Sequence, residues 1–177
     1  MGYSDKTLGR QAALQFLFGR DCSPDTWAGG FDEFWEMDPL ALSREAFEDG
    51  ERPAWEPESA GRIKSAAVRD HARALAGAVE EHQENLDRRI SGAVQNWSPD
   101  RVGRVEWVIL RIGLCEMEHF ENTPAQVVIS EAVNLAKMFC AEESPGFINA
   151  VLDRLRRGAA KTPDMAPDTG EDPPQDE

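Results

Sequence analysis

The residues with the most obvious capacity for chemistry lie in the segment Glu116-Met117-Glu118-His119, which has the E-x-x-H spacing of di-iron helical bundles. Such a site needs two E-x-x-H motifs and two further glutamates that project into one core. The chain has no second motif of this kind, and His71 and His82 fall on a helix face rich in arginine and glutamate. The segment therefore does not predict a metal site.

Other catalytic and cofactor-binding signatures are also absent from the sequence. There is no Walker loop, no Rossmann glycine run and no G-x-S-x-G motif. The three cysteines, Cys22, Cys115 and Cys140, lack the paired spacing of zinc sites, so we expect free or buried thiols. The sequence predicts a protein that is not an enzyme and that needs no cofactor.

Two side chains stand where helix packing does not require them. Arg111 lies at the edge of an apolar stripe, where an arginine either pairs with an internal acid or points into a groove. Phe147 follows Ser144-Pro145 in the first turn of a predicted helix, where it is either a core residue or an aromatic that stacks on an unpaired base. A helix N-terminus beside it would favour phosphate. Both residues are candidates for RNA binding.

The elements that position these residues are helices, because apolar residues recur at helical spacing and no segment alternates as a strand does. The first helix is predicted from Ser4 to about Arg20, with Ser4 or Thr7 as its cap. Residues 21–38 contain a short second helix. A long helix runs from about residue 62 to 95, with Gly92 as a candidate break.

Three Ser-Pro or Thr-Pro pairs predict the starts of the last three helices. Ser98-Pro99, Thr123-Pro124 and Ser144-Pro145 each place a capping hydroxyl before a proline at the first helical position. Apolar stripes follow each pair, so the fold class is all-α. The inward residues of these stripes are Val102, Val105, Val108, Ile109, Ile112 and Cys115, then Val128, Ala132, Leu135, Ala136 and Phe139, then Ile148, Val151, Leu152 and Leu155.

Charge is distributed unevenly along the chain. The formal net charge is −14, which ordinarily counts against nucleic-acid binding. However, residues 32–58 have a net charge of −8 and residues 161–177 one of −5, which leaves −1 for the other 133 residues. The body of the protein is nearly neutral, and a local basic patch is compatible with its composition.

This pattern predicts one helical domain over residues 1–160, with an acidic proline-containing insertion at 39–61 and a disordered acidic tail at 161–177. No apolar run is long enough to span a membrane, and no secretory signal precedes the first helix. We expect a cytoplasmic protein.

Residues 109–116, Thr123-Pro124, residues 130–137 and residues 144–153 together resemble the NusB family of transcription antitermination factors. The resemblance covers residues 94–157 strongly and 8–20 moderately. It implies two small helical bundles packed at right angles, and an adaptor that binds boxA-type single-stranded RNA with the ribosomal small-subunit protein NusE. The transcription elongation complex, in which this assembly supports antitermination and rRNA synthesis, is the implied wider partner.

The resemblance also implies two sets of site residues. The RNA face would comprise Lys6, Arg10, Gln15, Arg111, Lys137 and Phe147. The partner-protein face would comprise Asp100 and Glu106, with Phe18 and Glu143 near the junction. Many family members begin with a cluster of arginines, which this chain replaces with Lys6, Arg10 and Arg20, so RNA binding by the isolated protein is expected to be weak.

Two other functions remain open at this stage. A NusB-like domain also precedes certain rRNA cytosine methyltransferases, so the chain could supply an RNA-docking module. Alternatively, the broad apolar first helix could form a structural homodimer that binds no RNA, with Phe16 and Phe18 as interface anchors.

Overall fold

The computed structural model describes residues 4–25, 28–37, 65–94 and 102–159. These residues form six helices and no strand: α1 (Asp5–Cys22), α2 (Phe31–Glu36), α3 (Ala66–Val94), α4 (Arg104–His119), α5 (Ala125–Phe139) and α6 (Ser144–Ala159). The all-α prediction is confirmed. The predicted insertion at 39–61 and the tail at 161–177 lie outside the described residues.

Helix α1 begins where the sequence predicts. Ser4 has extended backbone angles, and its hydroxyl accepts a hydrogen bond from the Thr7 amide, which satisfies one of the unpaired donors of the first turn. Asp5 adds a negative charge at the positive end of the helix dipole. The helix packs along α3 and also contacts α4.

Helix α2 lies within residues 21–38, where a short second helix is predicted, and covers one end of α1. Its N-cap, Gly30, has a φ of 79°, a conformation that glycine adopts without the steric cost of a Cβ. Phe31 and Phe34 pack on Phe16 of α1, with ring centroids 5.3 and 5.5 Å from the Phe16 ring. Because Phe16 is buried in this cluster, it is not the surface anchor that the dimer alternative requires.

The apolar stripes form a core shared by all six helices of the described residues. In α3, the inward side chains at Val68, Ala72, Leu75, Val79, Leu86, Ile90 and Val94 are all buried, as their spacing predicts. The helix continues without interruption to Val94, so the break considered near Gly92 is wrong. Helices α4, α5 and α6 pack against one another, and α4 also packs on α1 and α3.

Of the three capping hydroxyls predicted for the last helices, the two that the structure describes, those of Thr123 and Ser144, bond elsewhere. Ser98-Pro99 lies outside the described residues, and α4 begins only at Arg104 after Gly103, with no side-chain cap. At α5, Pro124 is the N-cap and the Thr123 hydroxyl accepts a hydrogen bond from Lys6 Nζ (3.2 Å). At α6, the Ser144 hydroxyl donates to Glu106 Oε1 (2.7 Å). Both hydroxyls bond to side chains that are distant in sequence, and not to the first amides of their own helices.

Among the described residues, none of the helices combines the length and the apolar character that crossing a lipid bilayer requires.

Candidate nucleic-acid interface

Arg10 and Lys6 connect the start of α1 to α4 and α5. The Arg10 guanidinium is 3% exposed and forms two hydrogen bonds with the carboxylate of Glu116 on α4, at 2.5 and 2.7 Å. A third bond reaches Glu131 on α5 at 3.2 Å. Lys6 is exposed and reaches Thr123, just before α5. The N-terminal half of α1 is therefore held to α4 and α5 by charge-assisted bonds.

Arg111 pairs with two acids at the opposite end of α1. Its Nε and Nη2 donate to the two oxygens of Asp87 on α3, at 2.6 and 2.8 Å, and its Nη1 donates to Asp21 on α1 at 2.6 Å. Trp107 Nε1 also donates to Asp87 (2.8 Å). Burial opposes the charged guanidinium, but the bonds and charges of Asp87 and Asp21 outweigh it and raise the pKa of Arg111. The sequence allowed either an internal ion pair or a side chain that points into a groove, and the structure shows the ion pair.

The other predicted RNA-face residues occupy three helices. Lys137 is exposed in the last turn of α5, where its positive charge faces the negative end of the helix dipole. Its neighbour Met138 accepts a weak contact from Gln11 of α1 at 3.9 Å, which places Lys137 beside the α1–α5 seam. Gln15 and Phe147 are half-buried, and Phe147 packs against the core from α6.

The structure thus places Lys6 at the start of the seam between α1 and α5, Arg10 at its middle and Lys137 at its far end. Arg111 lies elsewhere, at the junction of α1, α3 and α4. The surface of α5 beside the seam contains no exposed acid in its helix, since Glu131 is the only acidic residue of α5 and it is bonded to Arg10. The exposed residues of this surface are Gln126, Val127, Ser130, Asn134 and Lys137; we call it the α5 face.

The predicted partner-protein residues are only partly brought together. Glu106 lies at the third position of α4, and its bond to Ser144 places it next to Glu143, which is exposed. Its second carboxylate oxygen lies against Gly103, where an added Cβ would overlap it. Phe18 is half-buried on α1, and Asp100 lies outside the described residues.

Glu106 also contacts Cys140 at the end of α5. Burial, followed by the charge and hydrogen bond of Glu106, raises the pKa of the Cys140 thiol to about 12. Glu106 therefore joins the start of α4, the end of α5 and the start of α6, so its half-buried carboxylate has a structural role.

The residues that anchor the two arginines were not identified from the sequence. Glu116 is fully buried, and it falls on the same stripe as Ile109 and Ile112, so its spacing marks it as an acid on a core-facing position. Asp21, Asp87 and Glu131 carry no comparable signal, because surface acids of this kind are common on helices. Among the described residues, no group of three or more His, Cys, Asp and Glu side chains is arranged to hold a metal ion.

Comparison with known proteins identifies the family. The NusB family model matches residues 9–157. The transcription antitermination protein NusB of Geobacter sulfurreducens is 37% identical over 150 residues, which cover 85% of this chain and 92% of the relative. The NusB of Nitratidesulfovibrio vulgaris is 36% identical over 149 residues, covering 84% and 85% of the two chains.

The same fold occurs in a crystal structure of the antitermination factors NusB and NusE in complex with dsRNA, with a TM-score of 0.65 and 22% identity over 87% of this chain and 97% of that one. This likeness confirms the predicted NusB-like, all-α fold. Since the family model covers most of the chain and relatives exceed 30% identity over more than four fifths of it, the protein belongs to the NusB family.

Proposed function

We propose that this protein is a cytoplasmic, non-catalytic RNA-binding adaptor that binds boxA-type single-stranded RNA together with the ribosomal protein NusE, and so supports antitermination and rRNA synthesis by the elongation complex. Its relatives are named as transcription antitermination proteins. A protein of the same fold has been crystallised with NusE and dsRNA.

The observation that carries the RNA part of this proposal is the α5 face. The chain has a net charge of −14, and a surface without exposed acids is therefore unusual on it. The single acid of α5 is held by buried Arg10, which leaves Val127, several polar side chains and Lys137 facing solvent. Lys6 lies at the other end of the same seam. Phosphates would meet their least repulsion here.

The six residues of the proposed RNA face would have different roles in binding, because they differ in exposure and in bonding. Lys6 and Lys137 are exposed cations that can approach phosphates. Gln15 and Phe147 are half-buried and would contact RNA by their exposed portions only. Arg10 and Arg111 have carboxylate partners, so their main contribution would be to hold α1 in place beneath the RNA.

The proposed partner face lies at the start of α4, where Glu106 is the acid of the first turn, and at Glu143, the residue before α6. Glu106 and Glu143 present two negative charges at adjacent positions, a surface that suits a basic ribosomal protein. Phe18 and Asp100 complete the face in the proposal.

Fluorescence anisotropy of a labelled boxA RNA would test the RNA part, with protein alone and with NusE, at two salt concentrations. Lys137→Gln should weaken binding and flatten the dependence of log K on log salt by about 0.7, the value for one lost single-strand phosphate contact. Arg88→Gln is a matched control, since Arg88 is exposed on α3. His71 of the same helix contacts Gly9 near the start of α1, and Arg88 lies about 25 Å further along α3. Equal effects of the two substitutions, or equal affinity for a duplex of the same sequence, would contradict the proposed face and ligand.

Charge reversal would test the partner part. Glu143→Lys should weaken NusE association without weakening RNA binding by the isolated protein, because it reverses an exposed charge of the partner face and removes no cation from the α5 face. Glu106→Lys should do the same but also lower stability, because it removes the acceptor of the Ser144 hydroxyl. Glu106→Gln keeps that acceptor and separates the two effects. Unchanged NusE affinity in both lysine variants would refute the face.

A further inference from the structure

His71 on α3 is wedged against the N-terminal half of α1. An added Cβ at Gly9 would lie 2.7 Å from His71 Cδ2, so the imidazole fills the space that a side chain at position 9 would occupy. The edge of the ring meets Phe120, with centroids 6.2 Å apart and planes at 82°. The imidazole therefore touches α1 at the residue between Leu8 and Arg10, directly beneath the proposed RNA face.

The groups around this imidazole compensate its polar edge only in part. His71 Nε2 is buried and has no hydrogen-bond partner among the described residues. The charged groups that face the ring are Lys6 and Arg10 from α1 and Glu116 from α4. Both oxygens of Glu116 already accept from Arg10, and Glu131 of α5 is bonded to Arg10 as well. A proton added to the ring would place a second positive charge beside Arg10, with the nearest carboxylates already engaged.

Burial and the charges of Arg10 and Lys6 lower the pKa of His71, while Glu116 opposes them. The neutral ring is thus the form that fits the folded protein.

We propose that neutral His71 holds the N-terminal half of α1 in its RNA-binding position, and that protonation of the ring releases this segment from α4 and α5. The proposal rests on the proposed RNA-binding function and assigns its regulation to pH. Release would misalign Lys6 and Arg10, because their bonds to Thr123, Glu116 and Glu131 depend on how closely α1 approaches α4 and α5.

The test compares the full-length wild type with His71→Phe between about pH 7.5 and 5, a range that extends well below the ordinary histidine pKa because burial lowers the pKa of His71. Phenylalanine keeps an aromatic ring against Gly9 and Phe120 but cannot be protonated. The apparent Kd of the wild type for boxA RNA should rise about tenfold for each pH unit below the pKa of His71, because the protonated form does not bind. The Kd of His71→Phe should lack this rise.

Controls are available because the chain has three histidines. His82 and His119 stack on each other, with ring centroids 4.1 Å apart, and His82→Phe and His119→Phe should each retain the wild-type pH profile. A parallel pH dependence in wild type and His71→Phe, or wild-type affinity that increases as His71 is protonated, would overturn the proposal.

A second measurement does not depend on RNA or on the variant. Wild-type protein would be titrated by NMR, with the His71 ring signal and amide exchange in residues 8–12 followed together. Faster exchange in step with ring protonation supports the release, and unchanged exchange refutes it. If RNA does not bind at any pH, the proposed function is wrong. The amide-exchange measurement still tests whether protonation of His71 releases α1.

Discussion

Replacing Arg111 with alanine should lower the stability of the protein by roughly 2–3 kcal/mol. The guanidinium makes three bonds of 2.6–2.8 Å that tie α4 to α1 and α3. Bonds to charged groups contribute about 1.5–3 kcal/mol each, and removing one partner of a fully buried pair costs about 3–5 kcal/mol. The estimate lies below that range because Asp21 and Asp87 are 27% and 31% exposed, so water partly solvates the carboxylates that alanine leaves behind.

Urea denaturation followed by circular dichroism would measure the loss, and a double-mutant cycle would assign it. Asp87→Asn removes the charge that Arg111 pairs with but keeps an oxygen that can accept from Trp107. The Arg111–Asp87 coupling energy should be about 1–3 kcal/mol, within the range measured for residues in contact. An Arg111→Ala variant within about 0.5 kcal/mol of wild type, the range of neutral surface substitutions, would refute the importance of this ion pair.

The Arg111→Ala variant also distinguishes two roles that Arg111 could have in RNA binding, direct contact with RNA and support of the fold. As a residue of the proposed RNA face, Arg111 should weaken RNA binding when it is replaced by alanine, and its ion pairs add an expected loss of stability. RNA affinity should therefore be measured at a temperature and urea concentration at which both proteins are fully folded. Weaker binding by the folded variant would support a contact between Arg111 and RNA. Unchanged binding would mean that Arg111 only holds α1, α3 and α4 together.

Two further predictions concern packing and thiol reactivity. Gly113→Ala should destabilise the protein by about 1–3 kcal/mol in thermal unfolding, because its Cβ would lie 2.8 Å from Leu152 Cδ1 where α4 meets α6. Gly77→Ala, in the open on α3, should instead stabilise it by about 0.5–1 kcal/mol, and a similar sign for both would contradict the packing argument. In timed alkylation followed by mass spectrometry, exposed Cys22 should react well before Cys115, whose pKa burial raises to about 12. At about pH 8 the ionised fraction of Cys115 is on the order of 10⁻⁴, and equal labelling rates would refute its burial.

The helices could be predicted from sequence because their apolar stripes have no competing interpretation. The buried residues of α3 follow from spacing alone, and the Ser4 cap follows from a hydroxyl that stands directly before the first helical residue. The start of α4 could not be predicted in the same way. Ser98-Pro99 is a strong local signal, yet Val102 and Gly103 are not helical, and α4 begins beside the Glu106 carboxylate.

The site residues were harder to interpret because their partners are distant in sequence. Arg10 bonds to residues more than 100 positions away, and nothing local distinguishes it from an exposed arginine of the first helix. Arg111 was recognisable as unusual because it interrupts an apolar stripe, but the choice between groove and ion pair depended on Asp21 and Asp87. Sequence can show that a charge is out of place, whereas the fold decides what neutralises it.

The pairing of both arginines bears on why a partner protein should be needed for RNA binding. A guanidinium that is held by carboxylates contributes little net positive potential to the surface, so Arg10 and Arg111 add little to phosphate attraction. Of the six proposed residues, Lys6 and Lys137 remain as exposed cations, and binding through two phosphates releases few counterions. Under the proposed function, Glu106 and Glu143 would attract a basic protein, whose own cations would supply the missing contacts. RNA affinity should then depend on the partner far more than on any single residue of this chain.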